Sequence, residues 1–145
     1  MNHRYEVERL PVEGVSRGRR TRVLVMDDDP QVLRFASDLW GEFGCEVACA
    51  TDGLEAVRLF RDARECGRPF DLVVVDVEVI GGMGGVETAR RLRDLDARVK
   101  VVVSSGDITH GALLDFAEHG FCDALPKPYG LDEAQRVLER AIGAA

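Results

Sequence analysis

At 145 residues, 46% of them hydrophobic, the chain has the size and apolar content of one compact domain with a real core. The net charge is −7, spread unevenly: residues 1–22 hold six arginines against three acids, and the remainder holds 13 bases against 23 acids, a body at −10. An acidic body argues against non-specific nucleic-acid binding, which needs a basic surface to displace counterions from phosphates, and no apolar run is long enough to span a bilayer or serve as a secretory signal, so a cytoplasmic protein is expected.

Residues 1–21 are polar and Arg-rich without clear periodicity, which predicts a flexible arm or linker; the domain is expected over 22–145. RVLVM at 22–26 reads as a strand. Pro30 to Phe43 places apolar residues at 32, 36, 39, 40 and 43, one face of a helix. CEVACA at 45–50 predicts a second strand, and from Gly53 a second helix carries Val57, Phe60 and Ala63 on one side. FDLVVV at 70–75 is apolar throughout, as expected of a central parallel strand covered on both faces. The glycine-rich GGMGG at 81–85 leads to a helix from Val86 to about Leu95, followed by a strand at KVVVS, 100–104. A helix over roughly 109–119, a short strand at CDALP and a last helix from about Leu131, with Ala134, Val137, Leu138 and Ala141 inward, complete five β-then-α units. Right-handed crossovers then predict an α/β fold, a doubly wound five-stranded parallel sheet with five helices.

In such a sheet ligands bind beyond the carboxyl ends of the strands. Those ends carry Asp27 and Asp28 after strand one, Asp76 after strand three, Ser104 and Ser105 after strand four, and Lys127 after strand five. Adjacent carboxylates repel and raise one another's pKa, so VMDDDP is costly without a positive partner. Lys127, one of only two lysines against 17 arginines, supplies a compact ammonium between two prolines. Three carboxylates against one ammonium remain over-charged, and Mg²⁺, which favours oxygen ligands and phosphate, would balance them. An aspartate beside Mg²⁺ can attack phosphorus and form an acyl phosphate.

The stretches VLVMDDD, VVVDVEVIGGMGG, VVVSSGD and ALPKPY, in this order and at these separations, resemble the receiver domains of two-component signalling over about residues 22–142. The resemblance implies a flavodoxin-like sheet of order 2-1-3-4-5. It implies Asp76 as the phosphoacceptor, taking a phosphoryl group from a kinase phosphohistidine. Asp28 would be a direct Mg²⁺ ligand, with Asp76 itself and the backbone carbonyl of Glu78, while Asp27 would act through water. Ser104 corresponds to the hydroxyl that moves toward the phosphoryl group, and Lys127 to the lysine that contacts it; Ser105 would add phosphate-binding capacity. The Lys127–Pro128 bond is expected to be cis. GGMGG, SSG and LPKPY look most like receivers of hybrid sensor histidine kinases, which makes a sensor histidine kinase, or the chain's own kinase core, the expected partner, with a downstream phosphotransfer or effector protein beyond it and neither nucleic acid nor membrane. Three departures stand out. The proline often found four residues after the phosphoacceptor is Ile80, which predicts a freer loop; Glu78 puts an acid within possible reach of Lys127; and the aromatic position three before the lysine is Ala124.

A second reading takes Asp27-Asp28-Asp29 as the D-x-D of a haloacid-dehalogenase-like phosphatase, with Asp27 as nucleophile and Asp29 as acid/base. Against it, Gln31 stands where that family has Thr or Val, and Asp76 is left without a task. Asp29-Pro30 suits a helix N-cap followed by proline at the first helical position without any chemistry. Cys45, Cys49, Cys66 and Cys122 show no CxxC and no zinc-ligand spacing with the three histidines, so they are expected as buried, reduced thiols, and His110 and His119 as surface residues.

Overall fold

A computed structural model describes residues 19–143. Five parallel strands, β1 (Arg22–Met26), β2 (Glu46–Ala50), β3 (Leu72–Asp76), β4 (Val101–Ser105) and β5 (Asp123–Pro126), form one sheet of order β2-β1-β3-β4-β5. The helices are α1 (Pro30–Gly41), α2 (Gly53–Glu65), α3 (Gly85–Leu95), α4 (Gly111–Leu114) and α5 (Leu131–Leu138). Most of the arm expected at the N-terminus lies outside the described residues. At its end Arg19 forks onto Asp71, Arg20 donates to the carbonyls of Gly44 and Cys45, and Thr21 is buried.

Alternation along the strands builds two cores. Val23 and Val25 of β1, Leu72 and Val74 of β3 and Val102 of β4 face α1 and α5, where they meet Leu33, Ala36, Leu39, Trp40, Ala134, Val137 and Leu138. Leu24, Met26, Val73, Val75, Val101 and Val103 face the other way, against Ala56, Phe60, Ala89, Leu92 and Leu113 from α2, α3 and α4. Both faces of β3 and β4 are buried at every position, which is why these strands read as unbroken valine runs. Each such side chain contributes roughly 1.5–3 kcal/mol by burial.

Most helix starts are explicit in the chain. Asp29 caps α1 through Gln31 N–H at 2.9 Å with Pro30 at the first turn, and Asp52 caps α2 through Glu55 N–H at 2.9 Å. The predicted helix over 109–119 is instead a four-residue α4, capped by His110, and a 3-10 turn at Phe116–His119, broken at Asp115. The apolar positions in this stretch are too few for a continuous buried stripe: Ala112 and Leu113 are buried, whereas Leu114 is 65% exposed. The thiol expectation is corrected in part. Cys45 is buried and Cys49 half-buried, but Cys66, just past the end of α2, and Cys122, just before β5, are exposed; all four are free. On α1 the buried set is Leu33, Ala36, Leu39 and Trp40, so Leu33, not Val32, starts the inward face.

GGMGG has a packing reason as well as a turn reason. A Cβ on Gly84 would stand 2.6 Å from the Val77 carbonyl oxygen, and one on Gly85 would stand 2.6 Å from that of Asp76. The start of α3 therefore lies directly against the backbone that ends β3. Gly85→Ala is expected to destabilise the domain by about 1–3 kcal/mol in urea unfolding, through overpacking against backbone. Gly41→Ala, in the last turn of α1 with nothing within 4 Å of its Cβ position, is expected to stabilise it by about 0.5–1 kcal/mol.

Candidate functional site

The sheet reverses its winding between β1 and β3, and the crevice beyond these strand ends is where the acidic residues gather. Register sets them side by side: Met26 pairs with Val75, so Asp27 and Asp76 leave adjacent strands at one level, and Asp76 pairs with Ser104 on β4. Oxygens of Asp27, Asp28 and Asp76 lie within 4.8 Å of one another. Asp27 and Asp76 are buried and Asp28 is half-buried.

Lys127 answers two of these charges. Its Nζ donates to Asp27 Oδ2 and, at 3.3 Å, to Asp76 Oδ1. Two anchors fix the lysine backbone. Its own N–H donates to the Ser105 carbonyl at 2.8 Å, and two residues on, the buried Tyr129 accepts a hydrogen bond from Trp40 Nε1 at 3.2 Å. The intervening Lys127–Pro128 bond is cis. Asp27 also accepts from the N–H of Asp29, which ties the acidic turn together.

Burial is the largest influence on Asp76 and pushes its pKa up to about 6; the Lys127 charge opposes it, and the neighbouring Asp27 and Asp28 carboxylates add to it. Burial would lower Lys127, but the hydrogen bond from Lys127 to Asp27 and the charges of Asp76 and Asp27 outweigh it and hold the ammonium above its usual range. The cluster is thus a carboxyl with two negative neighbours beside a firmly protonated lysine.

The other expected site residues are placed less centrally. Ser104 is buried with its hydroxyl donating to the Leu125 carbonyl at 2.9 Å. Ser105 turns its hydroxyl into the following bend, where it accepts from Asp107 N–H at 3.0 Å. The Glu78 side chain is 73% exposed, with its carboxylate 3.9 Å from His110 Nε2; Lys127 is bonded to Asp27 and Asp76 instead. His110 is half-buried, since its Nδ1 accepts from Ala112 N–H as the cap of α4, whereas His119 is exposed. Asp29 uses Oδ1 to cap α1 and is not among the three clustered carboxylates, whereas Asp76, for which the phosphatase reading has no use, is.

Two features were invisible in the sequence pattern. Met83 O accepts from Gly53 N–H at 3.0 Å, and buried Thr88 donates to Gly84 O at 2.7 Å, so the loop after β3 is tied to α2 and α3. The backbone N–H of Ile80 donates to Asp28 Oδ2 at 3.1 Å. Both depend on main-chain groups, for which residue type carries no signal.

The raised Asp76 pKa has a signed consequence for the metal-free protein. A carboxyl that holds its proton more tightly when folded lends stability below its unfolded pKa of about 3.9, and that contribution is lost as pH rises through about 6. In chelator at pH 7.5, Asp76→Asn is therefore expected to melt roughly 2–5 °C above the wild type, and the gap should close as pH falls toward 5. A constant gap across that range in thermal melts would contradict the assignment.

The response regulator receiver domain family model matches residues 23–139. The transcription factor SKN7 of Chaetomium thermophilum is 30% identical over 127 residues, covering 87% of this chain and 16% of that protein. Histidine kinase 3 of Arabidopsis thaliana is 29% identical over 86 residues, covering 59% of this chain and 8% of the kinase. The chain thus spans less than a fifth of the length of either relative. Among solved structures, the receiver domain of sensor histidine kinase PA1611 from Pseudomonas aeruginosa PAO1, with magnesium coordinated in its active-site cleft, superposes with a TM-score of 0.75 at 24% identity, covering 86% of this chain and 99% of that one. No helix among the described residues is long and apolar enough to cross a membrane. With that family model matching residues 23–139, the chain belongs to the response regulator receiver domains of two-component signalling.

Proposed function

We propose that Asp76 is the phosphoacceptor of this receiver domain. The observation that carries the reading is the convergence of Asp27, Asp28 and Asp76 within 4.8 Å, with Lys127 bonded to Asp27 and Asp76. The Asp76 carboxylate oxygen attacks the phosphorus of a partner's phosphohistidine. The P–N bond breaks, its electron pair returns to the imidazole nitrogen, and an acyl phosphate remains on Asp76. Lys127 is already within reach of Asp76 and can follow the new phosphoryl oxygens as a point charge. Ser104, registered beside Asp76, exchanges its hydrogen bond to Leu125 O for one to the phosphoryl group. The chemistry is confined to the domain's own phosphorylation and dephosphorylation.

The donor set fits Mg²⁺: three clustered carboxylates, all oxygen, with one ammonium too few to balance them. Asp28 and Asp76 would hold the ion directly, with the Glu78 carbonyl, and Asp27 through water. When bound, the cation would neutralise charge on the phosphoryl oxygens. The partner is a sensor histidine kinase in the cytoplasm or the chain's own kinase core, with residues 1–21 as the connecting arm; the likeness to kinase receivers supports this. Output passes to a further phosphotransfer or effector protein. It does not rely on a large ring rotating inward, because the position three before Lys127 is the half-buried Ala124. A switch of this kind needs two states of similar energy, which the phosphoryl charge biases.

Incubation with Mg²⁺ and acetyl phosphate is expected to add one phosphoryl group by intact-mass measurement. Asp76→Asn should abolish that addition and Lys127→Ala should reduce it; labelling that survives in Asp76→Asn would remove Asp76 from the role. Saturating Mg²⁺ is expected to raise the melting temperature by several degrees, reversibly with chelator, because binding to the folded state relieves the carboxylate repulsion. An unchanged melting temperature would contradict the metal reading.

A further inference from the structure

The sheet has a second charged end. Where Asp27, Asp28 and Asp76 stand at the carboxyl ends of the strands, the amino ends of β1, β2 and β3 are surrounded by arginines: Arg22 opens β1, Arg19 and Arg20 precede it, and Arg68 lies in the turn between α2 and β3. These four guanidiniums line one cavity of about 390 Å³, together with Glu46 at the start of β2 and the turn at Gly67. The cavity and the acidic crevice are separated by the full five-residue length of β1, roughly 17 Å at about 3.3 Å per residue, and share no residue.

Two carboxylates answer the four cations. Asp71 accepts from both terminal nitrogens of Arg19, at 3.2 and 2.9 Å, and from the backbone N–H of Arg22. Glu46 is divided: its oxygens accept from Arg68 at 2.9 and 3.2 Å, while Arg22 Nε stands 3.4 Å from one of them, buried and without a hydrogen bond. Arg20 donates to two backbone carbonyls, which hold it in place without cancelling its charge. Arg22 is fixed by the Phe70 ring, 4.4 Å from guanidinium to centroid, and by a bond to the Arg68 carbonyl. Four guanidiniums against Asp71 and Glu46 leave a surplus of two positive charges, in a chain whose net charge is −7. Each guanidinium presents a planar fork of N–H donors that matches the oxygens of a phosphate. We propose that this cavity binds a small phosphorylated anion, held by the exposed Arg20 and Arg68 beside the fixed charge of Arg22. Its volume is that of a small-molecule pocket. Because Arg19 and Arg20 belong to the arm ahead of β1, an anion held here also ties that arm to the turn before β3.

Inorganic pyrophosphate is the probe, titrated calorimetrically into metal-free protein, whose carboxylate crevice repels anions. One saturable site is expected, with a Kd within about twofold of wild type in Asp76→Asn and about tenfold weaker in Arg20→Gln and in Arg68→Gln, each of which removes a charge-assisted donor from an exposed position. Arg34→Gln makes the same change of charge at an exposed position of α1 outside the cavity, and its Kd should stay within about twofold. In amide spectra, pyrophosphate should shift the Gly67 and Arg68 resonances and leave that of Asp28 in place. Absence of saturable binding, or a loss in Arg34→Gln equal to that in Arg68→Gln, would overturn the proposal. Tighter binding of a short poly-glutamate peptide with the same arginine dependence would assign the cavity to an acidic protein segment and overturn it equally.

Discussion

Among the described residues, the ammonium of Lys127 is the positive group bonded into the carboxylate cluster, and the arrangement of the strand ends depends on it. Asp27 and Asp76 are both buried, on adjacent strands at one level, and two like charges so placed would drive the crevice open without a counter-charge between them. The lysine arrives from β5, the far edge of the sheet, and its backbone is held by the Ser105 carbonyl on one side and the Trp40–Tyr129 hydrogen bond on the other. Both faces of the sheet therefore take part. The Tyr129 anchor belongs to the core under α1 and α5, while the Asp76 strand end is braced by α3 through Gly84 and Gly85.

One ammonium against three carboxylates is deliberately incomplete as an electrostatic balance. Asp76 keeps an elevated pKa beside a protonated lysine because burial and the two other acids outweigh the lysine's help. The folded domain thus spends stability on holding negative charge at the proposed cation and phosphoryl site, a cost that functional sites commonly carry. Around this centre the supporting contacts are mostly main-chain: Asp29 N–H to Asp27, Ile80 N–H to Asp28, Lys127 N–H to Ser105 O. Side chains supply the charge, and the backbone supplies the aim.

The elements legible in the chain were those with strong period or punctuation. The valine runs of β3 and β4, Asp29-Pro30 before α1 and the amphipathic stretch from Leu131 each correspond to an observed element, because alternation, capping and helical spacing are local properties. The stretch 109–119 was the weak reading: with Ala112 and Leu113 as its buried pair, no local rule could show that the helix stops at Asp115 and tightens into a 3-10 turn. The exposure of Cys66 and Cys122 was equally hidden, since residue type predicts burial only on average.

By itself the sequence determined the α/β alternation, the five strand ends and the residue types standing on them, because these follow from periodicity and from turns that sit next to each other in the chain. It also placed Asp27, Asp28, Asp76 and Lys127 in order, with a resemblance that gave the order a meaning. Only the tertiary structure decided which of them touch: Lys127 with Asp27 and Asp76, Asp28 with the Ile80 amide, Glu78 out toward His110, and the Ser105 hydroxyl turned into its own bend. The reason is physical. Those contacts join residues from separate strand-end loops through sheet register and through backbone donors, and neither register nor a main-chain N–H is written in the identity of any single residue.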